Sequence, residues 1–446
     1  MKVFVLLGSI VCLGLSSCGG GGSGDTPTRA ASEDAGELAR ADIRQVDELY
    51  PYANNSAYSD VLASCALADT KEQACTLNRL PFIGQANASI SVDDVMSRVL
   101  VTHDWMGERF ETLLRSAPEE MIELFAPVTV ISIGSTVRPS FYSTRTAAIR
   151  LDPARLWLTV EEKANISIAE DYRSDFGLEL NFWEMRSARI DGKRAFPSSS
   201  LTSFQERSFD DMKLRAYSLL FHELGHAVDY IDPQYLSLVD QSLNPFDAIS
   251  ALREYRGSLA LMNVSPLNSI DMDYLALVQF RGYIATEEQK RFTPSDVGGF
   301  MSSEGAATYY GYHTEREDFA TLFEYAMMKK HFNVDLYTGF VSKPLDDSDY
   351  GCSELIVGWG QRNRLSDVYV WPRSKWVVER VFGPSAADAA FFDSLIDEQS
   401  QMNAGIDWCT NRDNPNTTIA SRSSQKVISS EDQRAQLEYE RRQRLH

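Results

Sequence analysis

His222-Glu223-Leu224-Gly225-His226 is a stretch whose residue types and spacing could do chemistry. Two histidines four residues apart on an α-helix lie one above the other, so both imidazoles reach a single metal ion. Glu223, about 100° around the same helix, is placed to take a proton from an attacking water. Zinc suits that arrangement, because three protein ligands leave it an open position for water, whose pKa then falls to about 7. The whole chain of 446 residues holds only six histidines, so a chance pair at this spacing is uncommon.

The helix that must carry the motif is legible around it. Ser208 reads as its N-cap, and Asp210 and Asp211 put acid in the first turn, where the helix dipole favours it. No proline interrupts the stretch up to Ile231, and Gly225 is its only glycine. Tyr217, Leu220, Phe221, Leu224, Ala227, Val228 and Ile231 fall on one broad apolar face. The histidines lie roughly opposite, near Arg215 and Leu219. This pattern predicts a core helix that shows its histidine side to a cleft and is stopped by Pro233.

A third ligand has several candidates. Asp232 stands where a metzincin places its last ligand, but Asp229 occupies the position of the glycine that lets such a chain turn. Asp247 and Glu254 lie near the spacing of a thermolysin-like glutamate, in a context of Asn244-Pro245-Phe246. Farther on come Tyr310-Gly311 and then Glu317-Asp318-Phe319-Ala320. With His222-Glu223-Leu224-Gly225-His226-Ala227-Val228-Asp229, these residues resemble the anthrax lethal factor-like catalytic domain, which belongs to the gluzincin metallopeptidases. That family shows H-E-x-G-H-A-V-D, then Y-G, then a Glu followed by aromatic-Phe-Ala. The likeness covers two patches within roughly residues 205–330, with a longer gap here, Asp318 in place of an aromatic, and Thr321 where the family has a second Glu.

The resemblance implies one zinc ion per chain, bound by His222, His226 and Glu317, with Glu223 as general base. It also implies that Tyr310 donates its hydroxyl to the oxyanion of the tetrahedral intermediate. Thr321 leaves the histidines short of a carboxylate partner, and Asp229 is a candidate for that place. Glu315 stays open as an alternative third ligand, since it lies nearer the apolar side formed by Phe319, Leu322, Phe323 and Ala326. Thr314-Glu315-Arg316-Glu317 also has the frame of a capping box, in which Glu317 would hold the Thr314 backbone instead. Tyr310 has an alternative as a packing residue beside Tyr309 and Tyr312. His103, His313 and His331 read as structural or surface residues.

The chain opens with Met1-Lys2 and an apolar run at 3–15, too short to span a membrane. Leu15-Ser16-Ser17-Cys18 resembles the bacterial lipobox. The expectation is a lipoprotein signal peptide over 1–17, lipid on Cys18, and a flexible glycine-rich tether over 18–45. Gly19 after the cysteine favours outer-membrane sorting by that resemblance. Cys12 leaves with the signal, and Cys65, Cys75, Cys352 and Cys409 remain. An even count in an exported chain points to two disulfides, and proximity pairs Cys65 with Cys75 and Cys352 with Cys409. The net charge of −20 argues against nucleic acid and against a basic membrane-binding patch, so membrane attachment is assigned to the lipid alone.

Among the other elements, residues 92–114 read as one amphipathic helix capped by Ser91. Residues 128–133, 148–151 and 156–160 read as strands, one of them a candidate cleft edge for an extended substrate. Residues 234–290 read as mostly helical, 295–307 as loop, and 315–331, 376–382 and 391–396 as helices. The expected fold is α+β, zincin-like and mostly helical with a small mixed sheet, over residues 46–410. Its parts are an N-terminal part at about 46–205, a catalytic part at 206–335 and a helical part at 336–410, followed by a polar tail over 411–446. The expected function is a zinc-dependent endopeptidase acting on protein or peptide in the bacterial cell envelope. Two alternatives stay open: a non-enzymatic envelope lipoprotein that binds a partner and carries a structural zinc site, and an amidase acting on cell-wall peptide.

Overall fold

The computed structural model describes residues 38–414 and 431–442, apart from 88 and 397. The expected signal peptide, Cys18 and the part of the expected tether up to residue 37 lie outside the described residues, as do 415–430 and 443–446. The architecture is α+β. Among the described residues no helix is long and apolar enough to cross a membrane.

Five short strands make the first sheet: Tyr50–Pro51 (β1), Val99–Val101 (β2), Val130–Ile133 (β3), Phe141–Ser143 (β4) and Ala148–Leu151 (β5). Their order is β1-β2-β3-β5-β4, with β2, β3 and β5 parallel and the outer two antiparallel to their neighbours. β2 and β3 are buried along their whole length, which suits the unbroken apolar character of parallel strands covered on both faces.

This sheet corrects three expectations. Residues 92–114 are two helices, Val92–Met96 and Asp104–Arg115, flanking β2. Val99-Leu100-Val101 fits a helical stripe by period, yet pairing with Ile131, Ser132 and Ile133 claims it for the sheet. Residues 156–160 are no strand either, because Thr159 accepts the N–H of Glu162 and starts the short helix Val160–Ala164. The sheet edge at the cleft is β4, whereas 148–151 lies inside the sheet as β5.

The second sheet was not legible in the sequence. It runs β10-β9-β8-β6-β7, all antiparallel, from Phe182–Ile190 (β6), Lys193–Arg194 (β7), Asp335–Ser342 (β8), Val357–Arg362 (β9) and Ser400–Gln401 (β10). β6 hides Glu184, Arg186, Ser187 and Arg189 among its buried residues, so it shows no alternation of apolar and polar. The part at 336–410 is therefore not simply helical. Strands β8 and β9 precede the expected helices, which span Trp371–Phe382 and Ala386–Ser394. The expected loop at 295–307 contains a helix, Pro294–Ser302, capped by Thr293 with proline in its first turn.

The charged C-terminal stretch also differs from a solvated tail. Helix Glu431–Arg442 buries Leu437 and Glu440, and Glu440 accepts the Trp408 indole N–H at 2.7 Å and an Arg412 N–H at 2.8 Å. Charge at that position is paired inside the protein, which composition alone does not reveal. Both disulfides form as proximity suggested, Cys65 with Cys75 and Cys352 with Cys409.

Two helices position the residues of interest: Phe209–Tyr230, hereafter the histidine helix, and Glu315–Phe332, the glutamate helix. They pack side by side in the main core. Phe221 meets Phe323 edge-on at 6.3 Å, and Tyr217 stacks on Phe332 at 5.1 Å. Gly225 lets the backbones approach, since a Cβ there would sit 3.2 Å from the Cα of Ala320.

Candidate metal centre

The histidine helix begins as its sequence requires. Ser208 Oγ accepts the N–H of Asp211, and the Asp211 carboxylate accepts the N–H of Ser208 in return. Its apolar face enters the core, while His222, Glu223 and His226 line a cleft of about 380 Å³. Past Tyr230 the chain leaves the helix, and Asp232 caps the next short turn, Pro233–Leu238.

The glutamate helix delivers the third group. Thr314 accepts the N–H of Glu317 at 3.2 Å, which is half of the capping box. The Glu317 carboxylate crosses to the histidines rather than returning to Thr314. Its Oε2 lies 3.2 Å from Nε2 of His222 and 3.2 Å from Nε2 of His226. The ligand atoms of these three residues all fall within 4.8 Å of one another, so the group could hold a metal ion.

The competing candidates are engaged elsewhere. Glu315 pairs with Arg316 at 3.0 Å, and Asp232 lies 3.2 Å from Arg380. Asp247 accepts from Asn244, and Glu254 is exposed.

Glu324 is the residue that sequence reasoning missed. Its Oε2 accepts from Nδ1 of His222 at 3.2 Å, and its other oxygen accepts the Ser218 hydroxyl. A proton held on Nδ1 leaves the lone pair of Nε2 facing the shared point. Asp229, considered for this task, is fully buried and instead accepts the N–H of Ser258 at 2.6 Å. The signal was present: Glu317 and Glu324 are seven apart, two turns on one face, opposite Ser218 and His222 at a spacing of four. His313, set aside in the sequence, also lines the cleft, with Nδ1 3.8 Å from Oε1 of Glu317.

Burial and charge act against each other here. Burial opposes a charge on His222, yet Glu317 and Glu324 on its two sides hold its pKa up at about 10. Burial would likewise raise Glu317, but the histidines beside it draw its carboxyl well below the ordinary range. Burial raises Glu223, outweighing the lowering by His222 and His226, and its buried Oε2 accepts no hydrogen bond. Burial, then the charge of Glu317, keeps the Tyr310 phenol protonated far above its usual range.

Tyr310 is both packed and poised. Phe280 meets its ring edge-on at 5.0 Å, its ring centre is 6.2 Å from that of His222, and it lines the cleft. Its segment is fixed by Glu184 on β6, which accepts the N–H of Tyr309 at 2.8 Å. Asp318 is buried and forms a two-pronged pair with Arg373 at 2.6 and 3.0 Å. That pair accounts for an acid where the resembled pattern has an aromatic. Across the cleft, Pro139 to Tyr142 bring in the free edge of β4.

Comparison with protein-family models, with curated proteins and with solved structures finds no match for this chain.

Proposed function

We propose that this chain is a zinc-dependent endopeptidase of the gluzincin kind, with His222, His226 and Glu317 as metal ligands. The observation that carries the reading is the convergence of those three side chains at a cleft that Glu223 also lines. The donor set fits the ion: two imidazole nitrogens and one carboxylate oxygen suit zinc. His222 is already braced on its far nitrogen by Glu324, as metal-ligating histidines usually are. When bound, zinc supplies a Lewis acid that polarises the scissile carbonyl and acidifies water.

The protein's own groups do the rest. Glu223 takes the proton of the attacking water as the new C–O bond forms, and its burial-raised pKa brings it nearer the working range of a general base. It then passes that proton to the amine as the C–N bond breaks. Tyr310, which stays protonated, donates its hydroxyl to the developing oxyanion. An extended peptide adds to β4 by backbone hydrogen bonds, which presents its carbonyl to the centre. By the same reading, Cys18 anchors the chain to the bacterial envelope.

The test is cleavage of a mixed peptide library by the purified chain, with and without chelator, alongside Glu223→Gln. The variant is expected to keep its zinc and to lose about 10²–10⁴-fold in rate, the usual contribution of such a base. Cleavage within about tenfold of the parent would remove Glu223 from that role. Bound zinc without any chelator-sensitive cleavage would favour a metal-holding binding protein.

A further inference from the structure

A second cavity, of about 500 Å³, opens beside the metal cleft and shares Pro139 with it. The segment at 171–174 divides the two: Asp171 and Ser174 face this cavity, and Tyr172 and Arg173 face the metal cleft.

Arg215, on the histidine helix, lines this second cavity and is only 6 % exposed. Its Nε and Nη2 are buried and have no hydrogen-bond partner. The rings of Phe196 and Tyr439 flank its guanidinium at 5.5 and 5.8 Å, which holds it in place without cancelling its charge. The Tyr439 hydroxyl, on the same wall, is also buried and without a partner. Arg155 lines the cavity as well, and burial followed by the charge of Arg215 holds its pKa down to about 10.

The surrounding carboxylates are committed elsewhere. Asp152 takes Arg138 at 2.9 Å, and Asp171 takes Arg173 through both oxygens. Glu438 serves Tyr350, Arg441 and Arg442. Glu170 stands on the exposed rim and forms no ion pair with either arginine among the described residues. One buried and one partly buried cation lie side by side here, and Asp152, the acid whose charge reaches Arg155, is turned to Arg138, an arrangement that is costly unless a counter-charge arrives.

We infer that the cavity between Arg155, Arg215 and Tyr439 is a binding site for a compact oxyanion, a carboxylate or a phosphate. Guanidinium groups match both in geometry, and the phenol adds a neutral donor. Two sources share this chemistry. One is an acidic group on a peptide that runs past Pro139 from the metal cleft, and the other is a free small anion.

The experiment titrates the full chain with inorganic phosphate, and separately with N-acetylglutamate against N-acetylglutamine, at constant ionic strength set by chloride. Heat of binding and thermal midpoint are read together. Saturable binding of phosphate or of N-acetylglutamate is expected, weakened about tenfold or more by Arg155→Gln and by Arg215→Gln, the scale of one lost charge-assisted hydrogen bond. Arg155 is the less buried of the two, so Arg155→Gln carries the test if Arg215→Gln fails to fold. Tighter binding of N-acetylglutamate than of phosphate assigns the site to a peptide acid, and the reverse assigns it to a free anion. Failure of both to bind saturably, or equal affinity in Arg155→Gln, overturns the inference.

Discussion

Glu324 holds His222 by the nitrogen that faces away from the candidate metal position, and Ser218 holds Glu324 in turn. Replacing it removes the acceptor that His222 Nδ1 and the Ser218 hydroxyl share. Glu324→Ala is therefore expected to weaken zinc binding by about 10–100-fold, the usual cost of losing such a brace. Competition against a coloured chelator would measure this, and affinity within about threefold of the parent would refute the role. Asp229 makes a different point. Its folded pKa is raised from 3.8 to about 6, chiefly by burial. The protonated form is the one the fold favours, so its stabilising contribution is complete below pH 3.8 and is lost as pH rises through about 6. Asp229→Asn keeps an acceptor for the Ser258 N–H and removes the charge. It is expected to raise stability at pH 7 by up to about 3 kcal/mol and to flatten the profile between pH 4 and 6. Urea midpoints of the metal-free protein across that range are the check, and an unchanged slope would show that Asp229 titrates normally. At this scale helical spacing made His222 and His226 readable, whereas Glu317 came from the family resemblance, with Glu315 left open beside it. Glu324 was missed although its spacing of seven from Glu317 was there to see, because that spacing becomes a brace only through the way the two helices are set against each other.

Gly225 belongs to the scale of elements. A glycine inside a helix costs about 1 kcal/mol relative to alanine, so its presence there calls for a packing reason. The reason is the glutamate helix, since an added Cβ would stand 3.2 Å from Ala320 Cα and 3.3 Å from a Phe323 ring carbon. One of these helices carries His222 and His226 and the other carries Glu317 and Glu324, so pushing them apart opens the centre. Gly225→Val is expected to lower stability by about 1–3 kcal/mol, as overpacking does, and to weaken zinc binding as well. Parental unfolding and parental affinity together would mean that the helix spacing does not matter to the site. The histidine helix was legible from end to end, because cap, acids, apolar face and stopping proline agree. β2 was not, because three apolar residues fit a helical period as well as a strand, and only pairing with β3 separates the two.

Across the whole molecule, sequence proximity was informative for covalent pairing but not for strand pairing. Proximity sufficed for the two disulfides. The second sheet joins β6 to β8 across the entire histidine and glutamate helix region, and buried Glu184 and Arg186 mask its pattern. That sheet still bears on the site, since Glu184 fixes the turn carrying Tyr310. Likewise Glu440 looks solvated in a charged run, yet it meets Trp408 and Arg412 in the interior.

In the proposed site His222, His226 and Glu317 hold one metal ion per chain. It is tested most directly by zinc retained after an identical chelator challenge in the parent, Glu317→Ala, Glu315→Ala and Asp232→Ala. The parent, Glu315→Ala and Asp232→Ala are expected to keep about one zinc per chain, while Glu317→Ala, left with two protein ligands, loses it. Full zinc in Glu317→Ala together with its loss in Glu315→Ala would rule out Glu317 and move the third ligand two residues upstream.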